Sequence, residues 1–489
     1  MSVRTPTDNT LNLSEGDAAL RPDVAARQFL DWLSERRSTS ADGQRQRIIV
    51  AYSGGVDSHV LLHALVQALN TPRAAPPDAP AAAPWSQHFV LRALHVDHQL
   101  QSQSTAWAEH CAAVCSELGV PLQTRQIPGE EITSLEAEQG LEAAARLSRY
   151  RVFNQVMLPG DVFVLAQHAD DQAETFLLQA LRGSGPDGLA AIPFVRDFGR
   201  GSLCRPLLTS NRVLLQRYAE EHRLQHVEDP SNLDMRYDRN YLRHEILPRL
   251  TERWPAHART LSRSAARCGA ARQLLMNLAR ADLLAVRDAA EDRLLVERLA
   301  SLGRERCFNV LRLWVREAGL PLPRLRDLQR VSRELVTRRD SAASSHYGQV
   351  DIANYQFRRY RNHLYLLRDV RPAVADHYVW RTPFAALEIN EAAVTVTLEE
   401  LQQQGLELPA DAVVRVQNRR GGEMIRLGVP GYHKSVKKLM QEHGVPPWQR
   451  ESLPLIYVND TLAAVWRLAV AGEYASPATD HAPAVVEID

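Results

Sequence analysis

Short apolar, β-branched runs alternate with helical periods between residues 47 and 180. The strand-like runs lie at residues 48–50, 89–96 and 162–165, and segments such as HVLLHALVQALN (residues 59–70) carry the helical spacing. This alternation predicts βαβ units, which form a parallel sheet with helices on both faces. We therefore expect an α/β, Rossmann-like N-terminal domain that binds its ligand at the carboxyl ends of the strands.

A glycine-rich turn, SGGVDS, follows the first of these strands, and its residues are Ser53, Gly54, Gly55, Val56, Asp57 and Ser58. A helix that starts near Ser58 would leave several backbone N–H groups aimed at one point, which suits phosphate. Both glycines are expected to permit positive φ, and both serine hydroxyls can add donors. Asp57 would repel phosphate, so we expect it either to hold Mg²⁺ or to cap the helix. A plain strand–turn–helix corner is the structural alternative.

Two other nucleotide-binding motifs do not fit this chain. The Walker sequence G-x-x-x-x-G-K-[ST] does not occur, so its phosphate-binding lysine is missing. The string GSGPDG at residues 183–188 matches G-x-G-x-x-G, but it follows the helical segment AETFLLQALR instead of a strand. We interpret it as a loop that ends a helix.

Charge balance and cysteine content narrow the possible functions. The chain has 58 basic and 58 acidic residues, so a polyanion must meet a local basic patch. No signal-peptide core and no run of 18 apolar residues occur, which predicts a soluble, cytoplasmic protein without a membrane contact. The five cysteines include no C-x-x-C pair, and Cys111 and Cys115 are expected to line a core instead of binding metal.

Composition shifts predict an extension and three domains. Residues 1–22 are polar and are predicted to be a disordered extension, and residues 23–250 hold the α/β catalytic domain. Residues 251–375 show Arg- and Leu-rich helical periods, which predict a helical middle domain. Residues 376–489 mix short strands with one basic helix and predict a small α+β domain. A Pro- and Ala-rich insertion at residues 71–84 is assigned no function.

Acidic residues cluster after the third predicted strand, in the string HADDQAE. Asp171 and Glu174 are three residues apart and therefore share one helix face. On spacing alone, the favoured interpretation is an acidic helix N-terminus with a capping box. His168 is interpreted as a core or backbone-bonding histidine. The string HVDH at residues 95–98 lacks a further ligand that would complete a zinc site, so it is interpreted as polar lining of the nucleotide pocket.

Basic residues recur at three places. Arg146 shares a predicted helix face with Arg149, where a surface stripe of salt bridges is the default interpretation. The string YDRNYLRHEILP is interpreted as the start of a basic helix. Residues 411–450 contain eight basic residues against three acidic ones. Lys434, Lys437 and Lys438 are predicted to share one helical face there, either as a solvated face or as a patch for nucleic acid.

The SGGVDS turn resembles the pyrophosphate-binding loop of the N-type ATP pyrophosphatases, which cleave ATP between the α and β phosphates and adenylate a substrate. Five further strings narrow the resemblance to the tRNA(Ile)-lysidine synthetase family: LHVDHQL, GLEAAARLSRY, AQHADDQAETFLLQALRGSGPDGLAAI, RPLL and VEDPSNLDMRYDRNYLRHEILP. FRRYRNHLYLL and IRLGVPGYHKSVKKLMQEHGVPPWQRESLPLIY resemble the middle and C-terminal domains of that family. The family usually has glycine where Gln99 stands. The resemblance implies an adenine nucleotide alpha hydrolase-like fold.

The resemblance also implies an activity. Members of this family join the ε-amine of free lysine to carbon 2 of the wobble cytidine in the CAU anticodon of tRNA(Ile), and ATP becomes AMP and pyrophosphate. Codon reading thereby changes from AUG to AUA. The implied partners are this tRNA, free L-lysine, ATP as substrate and Mg²⁺, and a homodimer is left open.

Site residues are carried over from the resemblance as follows. The turn of residues 53–58 would bind ATP, and Asp57 would hold Mg²⁺. Arg146 would reach the ATP phosphates or the cytosine, where a fixed positive charge offsets charge that grows in the transition state. Asp171 and Glu174 would bind lysine, and with Asp57 and Arg146 they form the expected catalytic set. The residues expected to contact tRNA are Arg239, Asn240, Arg243, Lys434, Lys437 and Lys438.

Two alternatives remain at this level. One is a tRNA thiolation enzyme of the same superfamily, against which the missing C-x-x-C pair counts. The other is a non-catalytic nucleotide- and RNA-binding protein, which would need neither the acidic pair nor Arg146.

Overall fold

The computed structural model describes residues 19–36, 45–71, 84–99, 103–129, 141–288, 292–337, 347–368, 377–381, 384, 386–389, 394–409, 412–428 and 431–476. The chain divides into two compact units, Met1–Leu274 and Leu275–Asp489. Residues 1–18 of the predicted extension and residues 72–83 of the Pro- and Ala-rich insertion lie outside the described residues. The predicted domain boundaries near residues 250 and 375 stay predictions.

Six strands form the sheet of the first unit. They are β1 (Gln46–Ala51), β2 (Phe89–Asp97), β3 (Leu122–Gln126), β4 (Val162–Val164), β5 (Val195–Phe198) and β6 (Gly201–Cys204). Their order is β3-β2-β1-β4-β6-β5, and every neighbouring pair is parallel except the edge pair of β5 and β6. The predicted parallel sheet is confirmed, and its three predicted strands are β1, β2 and β4.

Helices pack on both faces of this sheet. The helices described between residues 22 and 286 are α1 (Pro22–Arg36), α2 (Val56–Asn70), α3 (Ser104–Glu117), α4 (Leu141–Val156), α5 (Ala169–Leu181), α6 (Pro186–Leu189), α7 (Arg212–Glu221), α8 (Asp238–Tyr241), α9 (Leu247–Arg253) and α10 (His257–Val286), whose residues after Leu274 belong to the second unit. Ile48 and Val50 of β1 lie in the core that contains α1 and α2, whereas Ile49 lies in the core that contains α4. Alternate side chains of one strand therefore anchor the two helical layers.

Four shorter helical turns complete the first unit. Three are 3₁₀ turns, at Trp85–Gln87, Pro206–Thr209 and Pro230–Leu233. The fourth joins α8 to α9 and is a wide π-helical turn, Leu242–Ile246, in which each hydrogen bond spans five residues. Pro248 follows at the start of α9.

The strand order places the site of the first unit. Strand β1 has β2 on one side and β4 on the other, so the chain changes direction across the sheet after β3. The segments that follow β1 and β4 are therefore adjacent at the carboxyl edge of the sheet. Open α/β sheets bind ligands at such a switch point. The SGGVDS turn follows β1, and the HADDQAE string follows β4.

The second unit contains two main sheets. The strands β7 (Arg293–Leu295), β8 (Tyr347–Ile352), β9 (Tyr355–Tyr360) and β10 (His363–Arg368) form an antiparallel sheet in the order β7-β10-β9-β8. The helices beside it are α11 (Val296–Ser301), α12 (Arg304–Glu317) and α13 (Leu325–Val331), which continues into a wide turn at Ser332–Val336. Trp314, Phe357 and Leu364 belong to their shared core. The predicted helical middle region thus includes a four-stranded sheet.

The remaining elements build a second antiparallel sheet and two hairpins. The strands are β11 (His377–Trp380), β12 (Leu387–Ile389), β13 (Val394–Val396), β14 (Val414–Gln417), β15 (Met424–Leu427), β16 (Tyr432–Ser435), β17 (Leu455–Val458), β18 (Thr461–Val465) and β19 (Ala469–Val470). The sheet order is β11-β14-β17-β18-β19, whereas β12 pairs with β13 and β15 with β16. Two helices, α14 (Leu398–Gln403) and α15 (Val436–Glu442), and the 3₁₀ turn Gly472–Tyr474 accompany them. In the described part of the chain, no helix combines the length and apolar character needed to cross a membrane.

Candidate active site

Serine hydroxyls hold the SGGVDS turn in shape. The Ser58 hydroxyl accepts a hydrogen bond from the Ser53 backbone N–H at 3.2 Å and donates one to the Gly55 carbonyl at 2.9 Å. It also lies 3.0 Å from the Ser53 hydroxyl. Ser58 is buried and Ser53 is exposed. The turn is therefore held by bonds among its own residues.

The two glycines of the turn have different conformations. Gly54 has φ +83°, and a Cβ there would lie 3.0 Å from the Cys111 sulfur, so both conformation and space require glycine. Gly55 has φ −71° and ψ 161°, and it is the N-cap of α2. The expectation of positive φ at Gly55 is wrong, because α2 begins at Val56 instead of near Ser58. Its first N–H groups therefore border the turn.

His168 joins the turn to the acidic helix. It is only 2% exposed, and its Nε2 lies 3.6 Å from a carboxylate oxygen of Asp57 and 3.6 Å from one of Asp171. Its Nδ1 lies 3.2 Å from the backbone N–H of Asp170 and 3.5 Å from its carboxylate. Burial lowers the pKa of His168, but these three carboxylates outweigh it and hold the pKa well above its ordinary value.

Asp57 lies in the first turn of α2 and faces His168. Burial raises the pKa of its carboxyl group, but His168 and the more distant Arg212 and Arg243 lower it further, so the net shift is downward. One oxygen, Oδ1, is buried without a hydrogen-bond partner among the described residues. Asp57 is thus an ionised carboxylate with one oxygen available to a ligand.

Both adjacent aspartates at the start of α5 cap helices. Asp171 accepts a hydrogen bond from the His168 backbone N–H at 3.0 Å, which closes a capping box at α5. Asp170 accepts one from the Arg212 backbone N–H at 2.8 Å, at the start of α7. The prediction of a capping box is confirmed for Asp171, but its partner is His168 and not Glu174, because α5 begins at Ala169. The other oxygen of Asp171, Oδ1, takes no part in the box.

Arg243 bridges the two acids that were predicted to bind lysine. Its Nε lies 2.7 Å from Glu174 Oε1, and its Nη2 lies 3.0 Å from Glu174 Oε2 and 3.2 Å from Asp171 Oδ1. Glu174 is fully buried. Burial lowers the pKa of Arg243, but the carboxylates of Glu174 and Asp171 raise it by more. The negative charges of Asp171 and Glu174 are thus balanced by Arg243 of the same protein. The Arg243 guanidinium, which was predicted to contact tRNA, points inward toward these acids.

Arg239 and Asn240 connect the same region to the preceding turn. Arg239 donates a hydrogen bond to the Thr175 hydroxyl at 3.1 Å, and its Nε lies 3.4 Å from Glu174. The buried Asn240 amide donates to the carbonyls of Ser231 and Asp234 at 3.0 and 2.9 Å. Asn240 thus fixes the turn at Pro230–Leu233, and Arg239 ties α8 to α5. Their contact with tRNA stays a prediction.

Arg146 lies on α4 with its guanidinium over a tyrosine. Its Nη2 is 3.4 Å from the Tyr150 hydroxyl, and its Cζ is 5.1 Å from the centre of that ring. In the part of the chain that the structure describes, no hydrogen bond or ion pair joins Arg146 to the turn or to the acidic pair. The exposed guanidinium is held by a neutral partner, and its role in catalysis stays a prediction.

The HVDH string supports the backbone beside the turn. His95 is buried, and its Nδ1 lies 3.0 Å from the Tyr52 carbonyl. Asp97 is also buried and accepts a hydrogen bond from the Gln99 backbone N–H at 2.8 Å. Gln99 has φ +52°, in the region that favours glycine. The glycine expected from the family would therefore fit this backbone, and here the bond to Asp97 helps to hold glutamine in it.

The C-terminal lysines differ from the prediction in one respect. Lys434 lies on β16 and forms an ion pair with Glu442, whereas Lys437 and Lys438 are exposed on α15. The prediction that all three share one helical face is wrong, because α15 begins at Val436, after Lys434. The Ser435 hydroxyl caps the helix by accepting from the Lys438 backbone N–H at 3.3 Å. Lys437 and Lys438 thus present exposed charges of the kind that bind phosphate.

A cavity of about 410 Å³ adjoins the acidic pair. Arg212, Glu252 and His257 line it, together with Glu174 and Arg243. None of the first three residues was predicted from the sequence. The only local signal is the position of Arg212 at the start of a helix after RPLL, and its approach to residues 252 and 257 depends on the fold.

Comparison with known protein families finds matches to three parts of the chain. Residues 25–250 match the PP-loop domain, residues 294–365 match the TilS substrate binding domain, and residues 414–486 match the TilS substrate C-terminal domain. Among solved structures, the U34-tRNA thiolase NcsA from Methanococcus maripaludis with its [4Fe-4S] cluster has a TM-score of 0.38 and 16% sequence identity. That comparison covers 50% of this chain and 77% of the thiolase chain.

Curated relatives cover most of the chain. The tRNA(Ile)-lysidine synthase of Legionella pneumophila (strain Lens) is 37% identical over 436 residues, which is 87% of this chain and 92% of that protein. The tRNA(Ile)-lysidine synthase of Escherichia coli O157:H7 is 37% identical over 421 residues, which is 86% of this chain and 91% of that protein. With the PP-loop turn at the switch point of its sheet, the chain belongs to the tRNA(Ile)-lysidine synthase family.

Proposed function

We propose that this protein is an ATP-dependent ligase that joins lysine to carbon 2 of the wobble cytidine in tRNA(Ile) with a CAU anticodon. ATP becomes AMP and pyrophosphate, and the modified tRNA reads AUA instead of AUG. One observation carries the proposal: the buried carboxylate of Glu174 and the partly buried one of Asp171 lie together at the switch point, and His168 links Asp171 to Asp57 of the PP-loop turn. A tRNA substrate makes the cytoplasm the proposed compartment.

The first step would take place at the turn after β1. The cytosine O2 attacks the α-phosphorus of ATP, a new oxygen–phosphorus bond forms, and pyrophosphate leaves. The N–H groups of the turn and of the first turn of α2 would hold the pyrophosphate as its charge grows. Gly54 allows the backbone to approach the phosphates closely. Arg146 is proposed to contact the α-phosphate or the cytosine.

Mg²⁺ fits the residues of the turn. The buried Oδ1 of Asp57 has no hydrogen-bond partner among the described residues, and a carboxylate oxygen is the ligand type that Mg²⁺ prefers. Asp57 would hold the ion, which would neutralise charge on the phosphates when bound. His168 would keep Asp57 ionised and in position.

The second step would take place at the acidic pair. The ε-amine of lysine attacks carbon 2 of the adenylated cytosine, the carbon–oxygen bond breaks, and AMP leaves with that oxygen. The ε-ammonium would first replace the Arg243 Nη2 between Glu174 Oε2 and Asp171 Oδ1, while Arg243 keeps its Nε bond to Glu174. The amine must then lose a proton, for which the neighbouring carboxylates are the proposed acceptors.

The tRNA would be held by positive charges at several places. Lys437 and Lys438 are exposed on α15 and are the proposed contacts for tRNA phosphates. Lys434 is proposed to contribute less to tRNA binding, because it is already paired with Glu442. Arg239 and Asn240 are proposed to act near the anticodon, Arg239 through its contacts with α5 and Asn240 by fixing the turn at Pro230–Leu233. Arg243 would contact the anticodon only after its Nη2 hydrogen bonds to Asp171 and Glu174 break.

The proposal is tested by incubating the protein with ATP, labelled lysine and a tRNA(Ile) transcript that bears CAU. We expect label in the tRNA, with AMP and pyrophosphate released in equal amounts. A transcript with uridine at the wobble position is the matched control and should take up no label. Release of AMP without incorporation of lysine would contradict the proposal, because a ligase must consume both substrates.

A further inference from the structure

Four arginines lie around Tyr150, near the carboxyl edge of the sheet in the first unit. The Cζ atoms of Arg146 and Arg196 are 5.1 and 4.9 Å from the centre of the Tyr150 ring, a distance at which a cation and an aromatic ring attract each other. Arg149 precedes Tyr150 on α4, and Arg205 directly follows β6. The proposed reaction gives a role to Arg146 alone.

The partners of Arg149 and Arg205 are uncharged. Arg205 is 2% exposed and donates hydrogen bonds to Gln167 Oε1 and to the Pro193 carbonyl, both at 2.8 Å. The Nε of Arg149 lies 3.3 Å from His98 Nε2. Burial and the charge of Arg149 lower the pKa of His98 to about 4, so this imidazole is neutral at neutral pH.

Arg196 makes no polar contact with the surrounding residues that the structure describes. Its guanidinium lies against Tyr150 and also 5.5 Å from the ring of Phe198, and its Nε is buried without a hydrogen-bond partner. Burial lowers the pKa of Arg205 to about 10, an effect that Tyr150 opposes and the charge of Arg196 increases. In the described part of the chain, none of the four arginines forms an ion pair with a carboxylate.

The uncompensated charge of this arginine cluster indicates an anionic ligand. Cations that lie close together repel one another, and a buried charge without a partner is costly. Phosphate matches a guanidinium well, because the planar set of N–H groups can contact two phosphate oxygens at once. Arg146 is exposed and Arg196 is half-buried, so a phosphate can reach them from solvent.

The strand order indicates which phosphate this is. Arg196 lies on β5, the outermost strand, and β4 and β6 separate β5 from β1, so Arg196 is about 14 Å from β1 across the sheet. The phosphates of ATP are linked by single oxygens and would lie together at the turn after β1. An RNA backbone carries a phosphate at every nucleotide and extends away from the reacting cytidine. The position of Arg196 therefore favours an RNA phosphate over a phosphate of ATP.

We propose that Arg196 binds a backbone phosphate of the RNA substrate next to the wobble cytidine. The Tyr150 and Phe198 rings hold its guanidinium in place, and Arg205 adds positive charge nearby. A phosphate contact does not read the base, so its effect is to position the cytidine for attack on ATP. This assignment rests on the proposed function, and it adds an RNA contact within the first unit that is separate from the lysines of α15.

The test uses an RNA hairpin that contains the anticodon stem and the CAU loop. Its affinity is measured over a range of salt concentrations, without ATP or lysine, for the wild type and for Arg196→Gln. We expect the variant to bind about tenfold more weakly, and its slope of log affinity against log salt to fall by about one. A hairpin with a different loop sequence should lose affinity by the same factor, because the lost contact is to the backbone.

Hairpins with single neutral phosphates locate the contact. Each hairpin carries one methylphosphonate in place of a loop phosphate. In the wild type, one position should weaken binding by about tenfold, whereas in Arg196→Gln the same substitution should cost less than about twofold, because the contact is already lost. A purely structural role of Arg196 would leave the two effects independent.

Two variants serve as controls, and thermal unfolding checks that each is folded. Arg200→Gln removes the same charge from an exposed residue in the turn between β5 and β6, at the opposite edge of the sheet, and should bind the hairpin like the wild type. Arg196→Lys keeps the charge and should keep the wild-type salt slope. Binding of AMP without RNA should be unchanged in Arg196→Gln.

Three outcomes would overturn the assignment. One is a lack of coupling between Arg196 and any single loop phosphate. Another is equal weakening by Arg196→Gln and Arg200→Gln, which would show that only net charge matters. A third is weaker binding of AMP with unchanged binding of the hairpin, which would assign the cluster to the nucleotide. A wild type that incorporates no lysine would refute the proposed function, whereas the hairpin measurements would still decide whether Arg196 binds an RNA phosphate.

Discussion

The acidic helix α5 and the basic helix α15 handle charge in opposite ways. The carboxylates of Asp171 and Glu174 are largely buried and are matched by Arg243 from the same unit. Lys437 and Lys438 are exposed on α15, whereas Lys434 forms an ion pair with Glu442. A buried charge is costly without a partner, whereas an exposed charge is solvated by water until a ligand binds. The difference separates a small-molecule site, where ligands exchange with protein groups, from a surface that binds a polyanion.

The largest effect is expected from Asp57. Asp57→Asn keeps the size of the side chain but removes the charge that His168 maintains. AMP formation in the presence of tRNA and lysine should fall by at least about a hundredfold, since the ionised oxygen would be lost from the phosphate site. Rates are measured by AMP release, with circular dichroism to check the fold. Near wild-type AMP release in a folded variant would remove Asp57 from the site.

Loss of the buried cation should destabilise the first unit. Arg243→Ala leaves Glu174 buried with a weaker partner, which should lower the free energy of unfolding by about 3 kcal/mol. Arg249→Ala is the matched control, because Arg249 makes an exposed ion pair with Glu245 in the same helical stretch and should cost less than about 1 kcal/mol. Denaturant titration measures both. Equal losses would show that burial does not distinguish the two pairs.

Removal of one charge from the acidic pair should act on lysine more than on ATP. Asp171→Asn or Glu174→Gln should raise the lysine concentration for half-saturation by about tenfold, or about 1.4 kcal/mol. Adenylation of the tRNA precedes the attack of the amine and should change far less. Asp171→Asn also keeps an oxygen that can cap α5. Unchanged half-saturation in both variants would leave Asp171 with a capping role and Glu174 with a structural one.

The smallest effect is expected at the exposed surface. Reversal of charge at Lys437 and Lys438 should weaken tRNA binding and reduce the slope of log affinity against log salt by about one per lost phosphate contact. Lys434→Glu should do less, because Lys434 is already paired with Glu442. Binding is measured over a range of salt concentrations, with ATP affinity as the control. An equal effect of all three lysines would show that pairing within the protein does not matter there.

Local sequence patterns were sufficient for the sheet and the turn. The β-branched runs predicted β1, β2 and β4, because strand formation and burial depend on residues that are close in sequence. The capping box at α5 was only partly predicted: the sequence interpretation used Asp171 and Glu174, whereas the structure pairs His168 with Asp171, because α5 begins at Ala169. Gly55 shows the limit of this approach, because its φ depends on where α2 starts and not on the residue type alone.

Contacts between distant residues could not be predicted in this way. Arg243 is 69 residues from Glu174, and its role changes from a surface contact to an internal cation once the fold joins them. The cavity depends on residues from α5 to α10, so no short string could indicate it. His168 was expected to be a core or backbone-bonding histidine. It is both, but its position between two carboxylates required knowledge of the distance from Asp57.

The wide turn at Leu242–Ile246 determines which way the side chains of α9 point relative to those of α8. One extra residue in a turn rotates everything that follows by about 100° around the helix axis. Arg239 and Arg243 can thus point to α5, while Leu247 and Pro248 line the cavity. Deletion of a single residue here would keep all four side chains but rotate Leu247 and Pro248 away from their present position relative to Arg239. Insertion or deletion in this turn would therefore change the lining of the cavity without replacing any of the side chains that form it.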